Sequence, residues 1–87
     1  MFSASKPTLS ISFPTDGAIV DTATITVTGS TAPGANVAVN NSPAVVDTTG
    51  SFEFTLPLQS GENVIVITSS DIAGNTDRVE MRVKREN

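Results

Sequence analysis

The stretch Thr24-Ile25-Thr26-Val27-Thr28-Gly29 alternates β-branched apolar residues with threonine and ends at a glycine. Three later segments repeat the combination of a short alternating run and a turn: Asn36-Val37-Ala38-Val39-Asn40, Ser51-Phe52-Glu53-Phe54-Thr55-Leu56 and Asp71-Ile72-Ala73-Gly74-Asn75. A period of two places successive side chains on opposite faces of a strand, so each strand has one buried and one solvated face. The pattern therefore predicts a small antiparallel β-sandwich.

The remaining segments bring the prediction to seven or eight short strands. The first strand is expected over 8–13, and 18–20 is expected to form a short edge strand. Ser42-Pro43 is expected to break the chain before a brief strand over 44–47, because proline removes a backbone donor. Residues 63–70 are apolar on both phases, which predicts a strand that lies centrally in its sheet. No segment has helical spacing, so the predicted fold class is all-β, an immunoglobulin-like Greek-key sandwich of two antiparallel sheets.

The inward phase of these strands gives the expected core. Its members are Leu9, Ile11, Phe13, Ile25, Val27, Val37, Val39, Phe52, Phe54, Leu56, Ile65, Ile67, Val79, Met81 and Val83. On the last strand, the alternate positions Arg78, Glu80, Arg82 and Lys84 are expected to point outward.

Composition excludes several kinds of function. The 87-residue chain carries a net charge of −4, whereas a nucleic-acid surface needs clustered lysine and arginine to neutralise phosphates. It has neither cysteine nor histidine, so it lacks a thiolate nucleophile, disulfides and the usual zinc ligands. We therefore expect no catalytic residues, no cofactor, no nucleic-acid partner and no membrane insertion.

Serine and threonine together make up 22 of the 87 residues. Threonine on the wet face of a strand keeps β propensity without charge, which favours a secreted or surface-displayed module. The first six residues have no apolar run that could serve as a signal peptide, so an export signal would lie outside this sequence. The expected domain spans 8–84, with tails at 1–7 and 85–87.

Several linked motifs carry a resemblance to a known family. They are Thr28-Gly29-Ser30-Thr31-Ala32-Pro33-Gly34, Asp47-Thr48-Thr49-Gly50-Ser51-Phe52, Leu56-Pro57-Leu58, Gly61-Glu62-Asn63 and Asp71-Ile72-Ala73-Gly74-Asn75. In this order they resemble bacterial and archaeal immunoglobulin-like domains, in particular those that occur as domain B of glucodextranase and as repeats in surface proteins. The resemblance implies a non-catalytic immunoglobulin-like sandwich in a surface or secreted protein. It carries over no ligand-binding residue.

The segment Asp71–Asp77 has two interpretations. In the first, it is a hairpin turn in which Asp71 accepts backbone N–H groups and Gly74 or Asn75 takes a left-handed conformation. In the second, the oxygens of Asp71, Asn75 and Asp77 bind calcium at a domain junction. The spacing is not that of an EF-hand and no glutamate closes the loop, so the turn is the preferred interpretation.

Outward valines predict a candidate contact patch. Val64 and Val66 are expected to lie between Ala38 and Arg82, forming a small apolar area rimmed by cations. Such an area either contacts another domain or is covered by arginine stems.

These observations favour a non-enzymatic structural module that spaces or orients neighbouring domains of an extracellular protein. The isolated domain is expected to be a monomer. One alternative is a binding module that recognises a glycan or a protein through an outer sheet face, although tryptophan and tyrosine are absent. The other is an accessory domain of a secreted glycoside hydrolase.

Overall fold

The computed structural model describes residues 9–86, so the expected tail 1–7 and the first residue of the expected strand 8–13 lie outside the described residues. Glycine, proline and Asx turns separate strands whose side chains alternate between buried and exposed. These strands are β1 (Ser10–Phe13), β2 (Ala18–Val20), β3 (Thr24–Ser30), β4 (Asn36–Val39), β5 (Ser42–Val46), β6 (Ser51–Pro57), β7 (Gly61–Ser70) and β8 (Thr76–Arg85).

The strands form two layers that share β5. The first layer has the order β1-β3-β6-β5, and the second continues as β4-β7-β8-β2. Residues Ser42 to Ala44 pair with β4, whereas Val45 and Val46 pair with β6, so β5 passes from one layer to the other. The all-β, immunoglobulin-like Greek-key sandwich predicted from the alternation is confirmed.

The strand predicted to be central is indeed flanked on both sides. β7 pairs with β4 over Asn36–Val39 and with β8 along its whole length. The short segment Ala18–Val20 forms an edge strand, as predicted, and runs parallel to β8. β8 continues to Arg85, one residue into the segment expected to be a tail.

The core fills the space between the layers. Ten of the predicted members are buried: Ile25, Val27, Val37, Val39, Phe52, Leu56, Ile65, Ile67, Met81 and Val83. Leu9, Ile11, Phe54 and Val79 are partly buried against them. Leu58 and Ala35 are also buried, although the alternation did not predict them.

Phe13 is not a core residue, and the prediction for it was wrong. The register of β1 against β3 shifts between Ile11, which faces Gly29, and Phe13, which faces Thr28. This β-bulge inserts one extra residue, so the side chain after it reverses its face. Phe13 consequently lies on the outer side of the first layer and remains 50% exposed.

The expected break at Ser42-Pro43 was also wrong. The chain turns two residues earlier, at Asn40 and Asn41, whose φ angles are 49° and 71°. Asparagine tolerates such positive φ values, which a two-residue hairpin turn of type I′ requires at both positions. Pro43 is then accommodated within β5, opposite Ala38.

The two ends of the described chain lie at opposite ends of the sandwich. Ser10 pairs with Ser30, which pairs with Ser51 beside the β5–β6 hairpin. At the other end, Gly61 pairs with Arg85, the last residue of β8. We call the first the hairpin end, because the β5–β6 and β7–β8 turns both lie there. The molecule is elongated, with principal extents of 51, 22 and 19 Å.

A buried asparagine closes the end opposite the hairpins. Asn63 Oδ1 accepts the backbone N–H of Gln59 at 2.9 Å. Its Nδ2 donates to the carbonyls of Gln59, Gly61 and Val83 at 3.0, 3.1 and 3.3 Å. The Asn63 side chain thus provides hydrogen-bond partners for backbone groups of the β6–β7 connection and also bonds to β8. These bonds hold the connection where the chain crosses from one layer to the other.

Replacing Asn63 by alanine should lower the free energy of unfolding by about 2–3 kcal/mol, because one buried and two partly buried carbonyls lose a donor. Urea unfolding measures the change. Gln59→Ala is the matched control, since the hydrogen bonds between Asn63 and residue 59 involve only the backbone of residue 59, and the variant should stay within about 0.5 kcal/mol of the wild type. A similar effect of both substitutions would show that the Asn63 amide does not hold the connection.

Candidate functional site

The β7–β8 turn is built around the Asp71 carboxylate. Asp71 Oδ1 accepts the backbone N–H groups of Ala73 and Asn75, each at 3.0 Å. Gly74 donates its N–H to the Asp71 carbonyl at 3.1 Å and has a φ of 89°. The predicted turn is confirmed, and Gly74, not Asn75, is its left-handed residue.

The β5–β6 turn has the same construction. Asp47 Oδ1 accepts the backbone N–H groups of Thr49 and Ser51 at 2.9 and 3.0 Å and the Thr49 hydroxyl at 2.7 Å. Gly50 takes the left-handed position with a φ of 92°. Asp47 and Asp71, which are 24 residues apart in the sequence, therefore perform the same structural task at one end of the molecule.

These hydrogen bonds favour the ionised form of both aspartates. The Thr49 hydroxyl, followed by the backbone N–H groups of Ser51 and Thr49, holds the pKa of Asp47 below its usual value. The Asn75 side-chain amide is the main cause of the lowered pKa of Asp71. Because both pKa values are lowered in the folded state, both carboxylates stabilise it above their ordinary pKa of 3.8, and this contribution is lost as the pH falls through the folded-state values.

The three side chains of the calcium interpretation are engaged within the protein. Asp71 Oδ2 accepts the Asn75 amide at 3.2 Å, and Asp77 Oδ1 accepts the backbone N–H of Arg78 at 2.9 Å. Across residues 9–86, no three acidic side chains come close enough to one another to hold a metal ion. The geometry thus supports the turn interpretation, and calcium binding remains a prediction to be tested.

We expect the melting temperature to be the same with calcium as with a chelator, because a ligand that binds only the folded state raises stability. Thermal unfolding of the wild type, Asp71→Asn and Asp47→Asn makes the comparison. Asp47 is a matched control, since it holds the same kind of turn but is followed four residues later by Ser51, where Asp71 is followed by Asn75. A calcium-dependent rise that Asp71→Asn abolishes and Asp47→Asn leaves intact would establish a metal site instead.

The candidate contact patch lies on the outer face of the second layer. Ala38 and Val66 are partly buried there, whereas Val64 is 45% exposed. Val64 faces Arg82 across the β7–β8 ladder, and Val66 faces Glu80. The Arg82 guanidinium lies 3.7 Å from Glu80 and 3.9 Å from Glu62. The rim of the patch therefore carries both signs of charge, and its role in contacts remains a prediction.

A different surface, which sequence reasoning missed, lies on the outer side of the first layer. We call it the threonine face, and its residues are Ser10, Phe13, Thr24, Thr26, Thr28, Ser30, Val45, Ser51, Glu53, Thr55 and Pro57. The Thr26 and Thr55 hydroxyls bond to each other across the strands at 2.9 Å. An open groove of about 590 Å³ crosses this face beside Ser12, Thr28, Val45, Ser51 and Glu53.

The two outer faces differ in charge. All four cationic residues of the described chain, Arg78, Arg82, Lys84 and Arg85, belong to β8 in the second layer. The groove of the threonine face is lined by two carboxylates, Asp47 and Glu53. Among residues 9–86, the charged side chains of the threonine face and its groove are thus carboxylates, which accept hydrogen bonds.

The comparisons with known proteins agree with this architecture. A family model described as "Glucodextranase, domain B" matches residues 7–86. The chain belongs to this family. The family is one of accessory immunoglobulin-like modules and not of catalytic domains. The domain's resemblance to bacterial immunoglobulin-like domains is therefore confirmed.

A solved structure shares the fold. The domain is similar to a chain described as "Structures of Clostridium thermocellum CbhA fibronectin(III)-like modules", with a TM-score of 0.62 and 15% sequence identity. The similarity covers 93% of the domain and 47% of that chain, so the domain spans about half the length of its structural relative. A search of curated proteins gave no match. Residues 9–86 contain no helix of the length and apolarity needed to cross a membrane.

Proposed function

We propose that the domain is a non-catalytic module that spaces or orients neighbouring domains in a surface or secreted multidomain protein. The observation that carries the proposal is the placement of the chain ends. The described chain enters beside the hairpin end at Ser10 and leaves at the opposite end after Arg85. A folded unit with this connectivity holds its two neighbours apart along its long axis.

The internal structure suits a spacer that keeps its length. β7 and β8 are each ten residues long and pair over that whole length. Both chain ends are tied to long-range partners, because Ser10 pairs with Ser30 and the Glu86 N–H donates to the Val20 carbonyl at 2.8 Å. A force along the axis would therefore act on strands that are bonded to the body of the sandwich.

A second candidate is an accessory domain of a secreted glycoside hydrolase. The specific observation in its favour is the family, whose description names a domain of glucodextranase. Both functions agree with an extracellular location, and they differ in the kind of neighbour that the domain holds.

A replacement experiment in the parent chain tests the spacing role. Residues 9–86 are exchanged either for an unrelated β-sandwich with ends at opposite poles or for a Gly/Ser linker of equal residue number. Such a linker has an average end-to-end distance of about 50 Å, so it can span the distance between the chain ends of the folded domain but does not hold that distance fixed. We expect the sandwich to preserve the activity of the neighbouring domains and the linker to reduce it. Equal loss with both replacements would contradict the proposal, because it would show that a particular surface is required.

A further inference from the structure

Phe13 lies where the alternation of β1 would not place it. Leu9 and Ile11 are partly buried against the core, and a regular strand would direct Phe13 inward as well. The bulge at Ser12 directs Phe13 to the threonine face instead, which leaves half of an aromatic side chain in water. A bulge disrupts the pairing of the strands. Bulges are nevertheless frequent beside functional sites, where they re-aim a side chain.

The re-aimed ring lies at one edge of a row that crosses the first layer. Phe13 faces Thr28, Thr28 faces Glu53, and Glu53 faces Val45. With neighbouring strands about 4.8 Å apart, this row spans roughly 14 Å. Thr28, Glu53 and Val45 also line the open groove, so three of the four residues of the row belong to it, and Phe13 stands at the β1 end of the row.

We propose that the threonine face binds a neutral glycan chain, which stacks a sugar ring on Phe13 and directs hydroxyl groups to Glu53 and the neighbouring hydroxyls. The apolar face of a sugar ring matches an exposed aromatic ring. Sugar hydroxyls are hydrogen-bond donors, and hydrogen bonds to a carboxylate are stronger than those between neutral groups. This binding function is additional to the spacing role and does not depend on it.

The backbone pairing of the face favours a glycan over an extended peptide. A peptide that binds a sheet usually adds a strand to an exposed edge, where main-chain groups are free. The centre of the threonine face is formed by β3 and β6, and each pairs with a neighbour on both sides. The free edge of this layer is β1, so a peptide strand added there would lie beside Phe13 and would not cross β3 and β6 to reach Glu53. A ligand that lies across the centre of the face is recognised through side chains, and this face offers one ring, several hydroxyls and the Glu53 carboxylate.

The test is an NMR titration of the 87-residue chain with four neutral hexasaccharides: maltohexaose, isomaltohexaose, cellohexaose and xylohexaose. We expect at least one to bind with a Kd of about 1 mM or tighter and to shift the amide signals of β1, β3 and β6. Phe13→Ala and Glu53→Gln should each weaken that binding by tenfold or more. Both positions are exposed, and Glu53→Gln also preserves shape, so its effect on binding does not depend on how well Phe13→Ala folds.

Val64→Ala is the matched control, since it removes an exposed apolar side chain from the other outer face and should leave the affinity unchanged. Hexalysine is titrated in parallel as a cationic probe. The proposal is overturned if none of the four glycans binds, if only hexalysine binds, or if the shifts map to the second layer. It is also overturned if Phe13→Ala and Glu53→Gln bind as tightly as the wild type. The titration measures glycan binding, whereas the spacing role depends on the distance between the two chain ends, which none of these results changes, so the two proposals fail independently.

Discussion

Truncation of Ile67 to alanine is expected to lower the free energy of unfolding by about 2–5 kcal/mol. Ile67 is fully buried at the centre of the sandwich, where it pairs with Val39 on one side and Val79 on the other. The loss combines the transfer free energy of the removed methyl and methylene groups with the cavity that the surrounding strands cannot fill. Urea denaturation of the wild type and the variant measures it.

The neighbouring Val66 provides the control for this substitution. Val66 lies on the outer phase of the same strand, so Val66→Thr should change stability by about 0.5 kcal/mol or less. A shift of one residue in the pairing register would exchange the two faces of β7 and reverse the two results. A small effect at Ile67 together with a large effect at Val66 would therefore contradict the register.

Substitution of Gly50 by alanine is expected to lower the free energy of unfolding by about 3 kcal/mol or more, because two costs act together. The residue has a φ of 92°, a conformation that a Cβ atom disfavours. The new Cβ would also collide with the Thr31 carbonyl oxygen. That carbonyl belongs to buried backbone near the hairpin end, where the Thr31 N–H donates to the Gly50 carbonyl at 2.8 Å.

Gly74 separates the two costs experimentally. It occupies the same position in the matching β7–β8 turn with a φ of 89°, and nothing lies within 4 Å of an added Cβ. Gly74→Ala should therefore carry only the conformational cost, about 1–2 kcal/mol. Thermal and urea unfolding of both variants provides the comparison. Equal losses would show that the packing of Gly50 against Thr31 contributes nothing.

Most of the fold could be predicted because its determinants are local. The period-two alternation on β3, β4, β6 and β8 identifies both the strand and its buried face. The apolar run Val64–Ile67 identifies the strand that pairs on both sides. The Asp71 turn could be predicted as well, because a turn aspartate accepts backbone N–H groups that follow it and a turn glycine supplies a positive φ.

The errors arise where tertiary context overrides a local pattern. Ile11 and Phe13 are both apolar, and only the pairing of β1 with β3 reveals the extra residue between them. Asn40 and Asn41 carry a turn signal, because adjacent asparagines suit a type I′ turn, but Ser42-Pro43 is a competing break signal, and only the pairing of β4 with β5 decides between the two. The role of Asn63 depends on carbonyls of Gln59, Gly61 and Val83, and Val83 is twenty residues away.

The functional surfaces were less predictable than the strands. The outer positions of Ala38, Val64 and Val66 follow from phase alone, and the structure places them there. The contact of Arg82 with Glu62 depends on the pairing of β7 with β8, whereas Glu80 lies two residues away on the same strand. The threonine face could not be predicted as a binding surface, because its aromatic residue reaches it only through a bulge.

The most direct test of the spacing role is the distance between the two ends of the folded domain. The chain has no cysteine, so a Ser10→Cys, Glu86→Cys variant carries spin labels only at those two positions. Pulsed electron resonance should give a distance of about 25–35 Å, since the labels are separated by most of the length of the strands. A distance of about 10 Å, the spacing between two packed sheets, would place both ends at one pole and contradict the account.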